Sequence, residues 1–598
     1  MTTEEANPPR MSSATVRGIA LLIVGASALI RLAMNLQGFF AIDDYVFIGR
    51  ATAPDALSWQ ALLEPHQGHV SPGGQLLTWV MTRVTPLEFT SAAVLMSLGW
   101  LACLLLMYRV LTMLWAPVPG MLIPLLAYAV SPFMVQVTTW WSAAINAVPL
   151  QLCSLLVVYS LIPFARGEGS LSWRRQLALV VSCAVAAAFF EKAALLGPLA
   201  FGLALVWSPG TGRSVVVNAW RAARGAWVAL LALTVGYAIT YAALLAGGPS
   251  DLPRLTLADS SQRAGISVIR GLVPGLVGGP IDVSPGLDPW AIPPLWMVGL
   301  AVGVLVLAVL VVVEGSTTTR RLGVLCVAYA VACLAAPAIG RAGYVPISAA
   351  ALRYFADLAV PLTLLLASIV RDRLGERPTR STWQPWTVAF VVLAAYVTLS
   401  LVTFERMWER WADNPSRDIT MRALDSLAQR DPQVPLLDVT VPADVISALY
   451  GKYTASSLVL GSAPRSPGFA EQSQALAVWA PDGRLLPARV EGPGAVGSGA
   501  CPWPVSPTAT ITLTAPLVNY RHVVALTTTS TAATRLQVTV GEGAPVIWDI
   551  PAGRATSYRW QAGGGSNLVT VTALESSPPA ACVLAVQVGA PVPIDESG

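Results

Sequence analysis

Long apolar segments recur through the first two thirds of the sequence and cease near residue 403. They include Gly18–Ile30, Leu177–Phe190, Trp227–Leu245 and Met297–Val313. Charged residues make up only 12% of the chain, roughly half of their share in ordinary soluble domains. Because a helix of about 20 apolar residues crosses a bilayer, the sequence predicts a polytopic membrane domain over residues 1–403.

Hydropathy predicts eleven spans in this domain. The first follows a polar N-terminal stretch without a small-residue cleavage site, so we interpret it as an uncleaved span rather than a signal peptide. The count depends on segment 176–208, which we divide into two short spans at Phe189–Lys192. If this segment were one span, every later loop would lie on the opposite side of the membrane. The expected spans are roughly 16–37, 90–112, 119–138, 143–164, 176–190, 193–208, 225–246, 291–313, 321–339, 354–370 and 384–403.

Arginines follow the positive-inside pattern if the N-terminus is cytoplasmic. Alternate short loops then carry clusters of arginines, whereas the longer loops on the other side carry acidic residues such as Asp43, Asp44, Asp251 and Asp288. An undivided segment 176–208 would instead move three arginine clusters to the outer side. We therefore expect a multi-pass plasma-membrane protein with an extracytoplasmic C-terminal region.

The periodicity changes after residue 403. Residues 404–500 predict a mixed α/β connecting region, and residues 501–598 contain short alternating runs that predict a β-sandwich or jelly roll. Sugar binding by this domain and bracing of the membrane domain are equal alternatives, because a fold does not dictate a function. The expected strands are Thr510–Thr514, His522–Thr528, Arg535–Val540, Val546–Ile550, Ser557–Gln561, Asn567–Leu574 and Cys582–Val588.

Two of the seven cysteines, Cys501 and Cys582, lie in this tail, and the other five lie in apolar spans. Within a span a thiol behaves as a small hydrophobic group. Extracytoplasmic compartments are oxidising, so we expect one disulfide between Cys501 and Cys582. Two unpaired thiols are the alternative.

Two adjacent carboxylates, Asp43 and Asp44, directly follow the first span. Carboxylates close to lipid are costly to desolvate, so this pair indicates a functional cavity; capping of the next helix is the alternative. His66 and His69 follow, two of only three histidines in the chain. We expect them to shape a substrate pocket, with ordinary loop residues as the alternative. Their spacing defines no metal site, and the cofactor stays unknown, with a divalent cation left open.

These features together resemble the GT-C superfamily of membrane glycosyltransferases: an Asp-Asp pair in the first external loop, a segment with His and Pro, about eleven spans and an external sandwich. The chain is most similar to actinobacterial cell-envelope arabinosyl- and mannosyltransferases. The resemblance implies inverting transfer of a sugar from a polyprenyl-phosphate donor to a cell-envelope glycan or lipid acceptor. Asp43 or Asp44 would be the general base that takes the proton of the acceptor hydroxyl.

The resemblance also implies a cation beside the phosphate leaving group, where negative charge develops. Arg341 and Arg353, with the neighbouring Tyr354, are candidates near the outer surface, and Arg270 in loop 247–290 is another. An ion pair between Arg353 and Asp357, four residues apart, is the alternative. Two further candidates lie between two short spans, Glu191 and Lys192, which either form a local ion pair or line the cavity.

Several other functional classes lack their motifs. The sequence contains no Walker A motif, no Rossmann glycine pattern on a strand–helix unit and no Gly-x-Ser-x-Gly elbow. A net charge of +4 indicates no nucleic-acid partner. The rival functions are a transporter or flippase of lipid-linked sugars and a non-catalytic envelope assembly protein with a sugar-binding domain.

Overall fold

The structure is a computed structural model that describes residues 11–246, 256–340, 346–374, 383–431, 433–447, 450, 453–463, 468–574 and 580–594. The chain forms two compact units. We call Met1–Phe40 with Pro54–Asn414 the membrane unit, and Ala41–Ala53 with Pro415–Gly598 the C-terminal unit. The short segment that carries Asp43 and Asp44 therefore belongs to the C-terminal unit.

The described part of the membrane unit is built mainly from helices, and the C-terminal unit contains three further α-helices. In chain order the α-helices are α1 (Ser13–Gln37), α2 (Asp43–Thr52), α3 (Trp59–Leu62), α4 (Pro72–Val84), α5 (Phe89–Trp115), α6 (Leu122–Ala129), α7 (Trp141–Ala165), α8 (Trp173–Phe189), α9 (Leu196–Trp207), α10 (Arg213–Ala222), α11 (Arg224–Ala246), α12 (Leu257–Ile266), α13 (Val273–Leu276), α14 (Leu295–Val313), α15 (Thr317–Gly340), α16 (Ala359–Leu374), α17 (Trp383–Ala412), α18 (Pro415–Ala428) and α19 (Ser456–Leu460).

Eight helical stretches within the described residues are long and apolar enough to cross a membrane. They cover eight of the eleven expected spans, at Ser13–Gln37, Phe89–Trp115, Trp141–Ala165, Arg224–Ala246, Leu295–Val313, Thr317–Ala335, Pro346–Leu374 and Trp386–Ala428. The other three expected spans are shorter helices. Expected span 119–138 contains α6 followed by two 3₁₀ turns, and the remaining two correspond to α8 and α9.

The break expected between α8 and α9 is present. Phe190 is extended, with φ −155° and ψ 134°, and the 3₁₀ turn Glu191–Leu195 leads into α9. This break places two charged side chains, Glu191 and Lys192, between apolar helices.

The first and last membrane helices, α1 and α17, pack side by side. The Arg31 guanidinium carbon lies 4.8 Å from the Phe404 ring centroid, and a side chain at Gly38 would collide with Trp411. Residue numbers therefore rise together along both helices, so α1 and α17 run parallel. Their carboxyl ends lie at the same end of the membrane unit.

The C-terminal unit is a β-sandwich, which confirms the expected order of a helical membrane domain followed by a β domain. One sheet has the strand order β11-β10-β13-β8; the other has the order β3-β12-β9-β14-β5-β4, with β6 and β7 paired to β14. The strands are β1 (Leu436–Leu437), β2 (Phe469–Ala470), β3 (Gln472–Ser473), β4 (Ala477–Trp479), β5 (Leu485–Glu491), β6 (Gly494–Val496), β7 (Trp503–Pro504), β8 (Thr508–Thr512), β9 (Tyr520–Ser530), β10 (Thr534–Val540), β11 (Val546–Ile550), β12 (Gly553–Gly563), β13 (Leu568–Ala573) and β14 (Ala581–Pro593).

Alternating side chains from both sheets form the core of the sandwich. Leu526 on β9, Leu536 on β10, Trp548 on β11 and Val571 on β13 are all fully buried in one cluster. Successive side chains of a strand point to opposite faces, so every second residue of these strands enters the core. The expected disulfide between Cys501 and Cys582 is present, with a Cα–Cα distance of 5.5 Å.

Helix α2 packs inside the C-terminal unit rather than in the membrane unit. The Tyr45 hydroxyl lies 3.0 Å from Thr420 Oγ1, and Arg50 Nη2 donates to the Tyr453 hydroxyl at 2.9 Å. Burial raises the pKa of Tyr45 above its usual range, so the phenol keeps its proton for this contact. Because α2 and the sandwich form one compact unit, we expect the segment that follows α1 to lie on the same side of the membrane as the C-terminal domain.

Candidate functional site

The acidic pair begins helix α2 immediately after a strained residue. Ile42 has φ 48° and ψ −104°, a conformation that β-branched residues rarely adopt. Asp44 is fully buried, and its Oδ2 accepts a hydrogen bond from the Ala41 backbone N–H at 2.9 Å. Asp43 is only partly buried. The two carboxylates therefore differ: Asp44 stabilises the start of the helix, and Asp43 retains exposed surface.

The two histidines flank a two-residue turn in the membrane unit. Gln67 and Gly68 both have positive φ, at 50° and 81°, as a type I′ hairpin turn requires. The His66 and His69 backbones exchange hydrogen bonds at 2.9 and 2.8 Å. Tyr241 of α11 donates to the Gly68 carbonyl at 2.5 Å. This turn fixes the position of both imidazoles, and His66 is buried.

The charged residues at the α8–α9 break each have a partner from a distant part of the membrane unit. His69 Nδ1 lies 2.9 Å from Glu191 Oε1, so the imidazole N–H donates to this carboxylate. Lys192 Nζ lies 2.6 Å from Asp357 Oδ2 and donates to the Tyr354 carbonyl at 2.9 Å. The structure thus brings together four predicted site residues, His69, Glu191, Lys192 and Tyr354. The local ion pair expected between Glu191 and Lys192 is replaced by these two pairs.

The alternative pairing of Arg353 with Asp357 is wrong. Arg353 forms a two-point ion pair with Asp288, with Nη2 2.9 Å from Oδ2, while Asp357 pairs with Lys192. The reason is local: Leu352–Leu358 is a 3₁₀ helix, whose three residues per turn rotate position i+4 by roughly 120° from position i. The expectation assumed an α-helix.

Arg353 also lies between aromatic rings. Its guanidinium carbon is 5.1 Å from the Trp140 ring centroid and 4.8 Å from that of Tyr354, and Nη2 donates to the Tyr354 hydroxyl at 3.1 Å. The Gln136 side chain supports this arrangement, because its Oε1 accepts from the Arg353 backbone N–H at 3.2 Å. The side chains of Arg353 and Tyr354 are therefore in direct contact.

Two other predicted residues stand apart from these contacts. Arg270 is exposed and lies in the π-helix Ser267–Leu272. Arg341 lies outside the described residues. In the described part of the chain, no group of three or more His, Cys, Asp and Glu side chains could hold a metal ion.

Asp288 and Tyr241 are the site residues that sequence reasoning missed. Asp288 lies in a loop rich in Pro and Gly, where a carboxylate is usually solvated, and only the fold shows that it meets Arg353. Tyr241 lies within an apolar span. Its hydroxyl could have indicated a contact with another segment, since buried tyrosines usually find a hydrogen-bond partner.

The comparisons give three solved structures. ArnT from Cupriavidus metallidurans, bound to undecaprenyl phosphate, is 12% identical with a TM-score of 0.44, covering 76% of this chain and 90% of ArnT. Arabinofuranosyltransferase AftD from Mycobacteria is 12% identical with a TM-score of 0.35, covering 98% of this chain and 61% of AftD. Arabinosyltransferase EmbB from Mycobacterium smegmatis is 13% identical with a TM-score of 0.35, covering 98% of this chain and 66% of EmbB.

This chain thus spans less than two thirds of AftD and about two thirds of EmbB. No protein family and no curated protein matches the sequence. Because all three TM-scores lie below 0.5, we base the function on the residues of this chain.

Proposed function

We propose that this chain is a membrane glycosyltransferase of the GT-C type. It transfers a sugar from a polyprenyl-phosphate donor to a glycan or lipid acceptor of the cell envelope, at the external face of the plasma membrane. Asp43 is the general base.

The division of roles between Asp43 and Asp44 is the observation that carries this proposal. Asp44 is fully buried and holds the Ala41 N–H, so its carboxylate serves the helix. Asp43 is partly exposed beside it, and the strain at Ile42 is of a kind that clusters at functional sites. A partly exposed carboxylate can meet an acceptor hydroxyl, whereas a sequestered carboxylate cannot.

The proposed reaction is a single displacement. Asp43 accepts the proton of the acceptor hydroxyl while the oxygen forms a bond to the anomeric carbon. The bond from that carbon to the phosphate oxygen breaks, and its electron pair leaves with the lipid phosphate. Attack from the opposite face inverts the anomeric configuration.

Arg353 is the cation that we assign to the leaving phosphate. Its side chain is 13% exposed, while Lys192 is only 5% exposed and held by Asp357. Developing negative charge is stabilised by a prearranged cation, and Asp288 with the two aromatic rings fixes the Arg353 guanidinium in place. Lys192 with Asp357 then has a structural role, as does Glu191 in orienting His69.

Transfer by purified full-length protein tests the proposal. We expect Asp43→Asn to lower transfer from radiolabelled decaprenyl-phosphate arabinofuranose or mannose by at least about 100-fold, since a general base contributes about 10²–10⁴-fold. Asp44→Asn should keep most of the activity, because asparagine still accepts the Ala41 N–H. Equal melting temperatures would show that both variants fold. Full-rate transfer by Asp43→Asn would refute the catalytic assignment.

The buried Lys192–Asp357 pair favours a second candidate, a flippase of lipid-linked sugars. Charged pairs inside membrane domains often mark transport pathways. In liposomes, a flippase would move a fluorescent polyprenyl-phosphate sugar between leaflets without forming any glycosidic product. Product formation without such movement would exclude this candidate.

A further inference from the structure

Helix α10 is a short helix with two unlike faces at one end of the membrane unit. Its inner face packs against the protein and consists of Val215, Ala219 and Ala222. The outer face carries apolar side chains, since Val216 is 49% exposed and Trp220 is 43% exposed. The Ala222 carbonyl accepts a hydrogen bond from the Leu171 N–H at 3.0 Å, which holds the helix in this orientation. Apolar side chains on the outer face of a fixed helix indicate an interaction surface.

The neighbouring helices α8 and α11 each have an exposed stripe that begins beside α10. The members of a stripe are three or four residues apart, so they share one face of a helix. On α8 the stripe consists of Trp173, Leu177, Val181 and Val185. On α11 it consists of Arg224, Val228, Leu231, Val235 and Ile239. Trp173 and Arg224 are the first residues of their helices, so they lie where the apolar stripes end, at the level of the membrane–water interface in which tryptophan is enriched.

Two contacts bring the ends of α8, α10 and α11 together. The hydrogen bond from Leu171 to Ala222 joins the segment before α8 to the last residue of α10. A Cβ added at Gly225 would lie 3.4 Å from Gln176 Oε1, so the start of α11 adjoins the first turn of α8. These contacts place five exposed side chains in one neighbourhood, which we call the α10 surface: Trp173, Val216, Trp220, Arg221 and Arg224.

Positive charge dominates this end of the membrane unit. Segments 166–176 and 208–225 together contain six arginines and one glutamate. Arg221 and Arg224 are both exposed, and among the residues that the structure describes neither forms an ion pair. The α10 surface therefore combines two tryptophans and a valine with two uncompensated cations.

The α10 surface is far from the charged residues at the α8–α9 break. Helix α8 has 17 residues and therefore extends about 25 Å at 1.5 Å per residue. Glu191 and Lys192 follow its other end, where Lys192 donates to the Tyr354 carbonyl. Because the hydrocarbon core of a bilayer is about 30 Å thick, the two places lie near opposite faces of the membrane. A ligand of the α10 surface is thus distinct from the donor phosphate that we assign to Arg353.

We propose that the α10 surface binds the headgroup of an anionic phospholipid in the leaflet at this end of the membrane unit. Amphipathic helices with arginine and tryptophan lie at the boundary of headgroups and acyl chains, with their apolar side chains inserted. Val216, Trp220 and Trp173 supply these apolar groups. Arg221 and Arg224 supply the charge that attracts an anionic headgroup. This binding is independent of the proposed transferase activity.

Native mass spectrometry of the delipidated full-length protein tests the proposal. Phosphatidylglycerol is the anionic probe, and phosphatidylcholine, which carries no net charge, is the comparison. We expect the wild type to bind phosphatidylglycerol at least about tenfold more tightly, since each arginine near an anionic surface contributes about fivefold. Without these two charges, Arg221→Gln/Arg224→Gln should bind both lipids within about twofold of each other. Both side chains are exposed, so this double variant should fold, and an equal melting temperature checks that it does.

The double variant Arg320→Gln/Arg373→Gln is the matched control. It removes two exposed arginines from the same end of the membrane unit, where the neighbouring Arg321 donates to the Ser208 carbonyl at 3.0 Å. The control should keep the wild-type preference for phosphatidylglycerol. An equal loss of preference in the control would overturn the proposal, because net charge alone would then explain the binding.

Other results would also overturn the proposal. One is equal binding of both lipids by the wild type, and another is an unchanged preference in Arg221→Gln/Arg224→Gln. Displacement of phosphatidylglycerol by an excess of glycerol 3-phosphate would make the α10 surface a site for a soluble phosphate. A complex of two protein copies in the wild type that is lost in this variant would make the surface an interface between copies.

Discussion

Lys192 and Asp357 form a buried ion pair in the membrane unit, and we expect the stability of this unit to depend on both residues. Both side chains are at most 5% exposed, so removal of one partner leaves an uncompensated buried charge. We expect Lys192→Met to destabilise the protein by about 3–5 kcal/mol. The double variant Lys192→Met/Asp357→Leu should be far more stable than Lys192→Met alone, because no charge is left buried.

Thermal melting of the purified protein in detergent measures this difference. Arg373→Met is the control, since its pairing with Glu314 involves exposed side chains and exposed pairs contribute at most about 1 kcal/mol. Additive losses in the double variant of Lys192 and Asp357 would show that the two charges do not depend on each other.

At the residue scale, local spacing in the sequence did not predict the partners of the candidate side chains. Glu191 and Lys192 were predicted as a pair because they are adjacent, yet each binds a residue more than 100 positions away. Such partners depend on how helices pack, which local spacing does not determine. Asp43 and Asp44 were grouped as equivalent, and only burial and the hydrogen bond to Ala41 distinguish them.

Helix α2 is the element that links the candidate base to the C-terminal unit. A Cβ at Gly49 would lie 2.8 Å from Leu458 Cδ2 and 2.9 Å from Leu458 Cβ, so α2 can approach this closely only with glycine there. We expect Gly49→Val to displace α2, at a cost of about 1–3 kcal/mol for overpacking, and to lower kcat more than KM.

Leu458→Ala in the same chain should restore part of the lost activity, because it removes Cδ2, the nearer of the two side-chain atoms that Gly49→Val meets, while Cβ remains. Gly265→Val is the matched control: Gly265 is also helical, and a Cβ added there would meet no atom of the described residues within 4 Å. Wild-type kcat in Gly49→Val would contradict a role of this contact in positioning α2.

At the element scale, strands were easier to predict than short membrane helices. All seven expected strands of the sandwich are present. One face of each strand is buried, so apolar and polar residues alternate along the sequence, and this alternation predicts a strand. In contrast, α6 has eight residues and α9 has twelve, and hydropathy extends such segments toward full spans. Helix packing shortens the apolar length that a buried segment needs, and hydropathy does not register this.

The disulfide between Cys501 and Cys582 stabilises the C-terminal unit as a whole. It closes a loop with a sequence separation of 81, for which the chain-entropy treatment gives about 4.5 kcal/mol. We expect the double variant Cys501→Ser/Cys582→Ser to lower the urea midpoint of the C-terminal unit, and reduction of the wild type to have the same effect. An equal midpoint with and without reductant would contradict this contribution.

Because α2 and the sandwich belong to one compact unit, we expect both to lie on one side of the bilayer, and labelling can determine which side that is. We expect a cysteine at Val496, which is 86% exposed, to react with an impermeant maleimide in intact cells. A cysteine at Ser170, exposed in the loop between α7 and α8, should react only after permeabilisation. The five cysteines outside the disulfide are buried, so background labelling should be low. Labelling of both positions from the same side would contradict the predicted topology, and labelling of Val496→Cys only after permeabilisation would place Asp43 and the proposed transfer reaction on the cytoplasmic face.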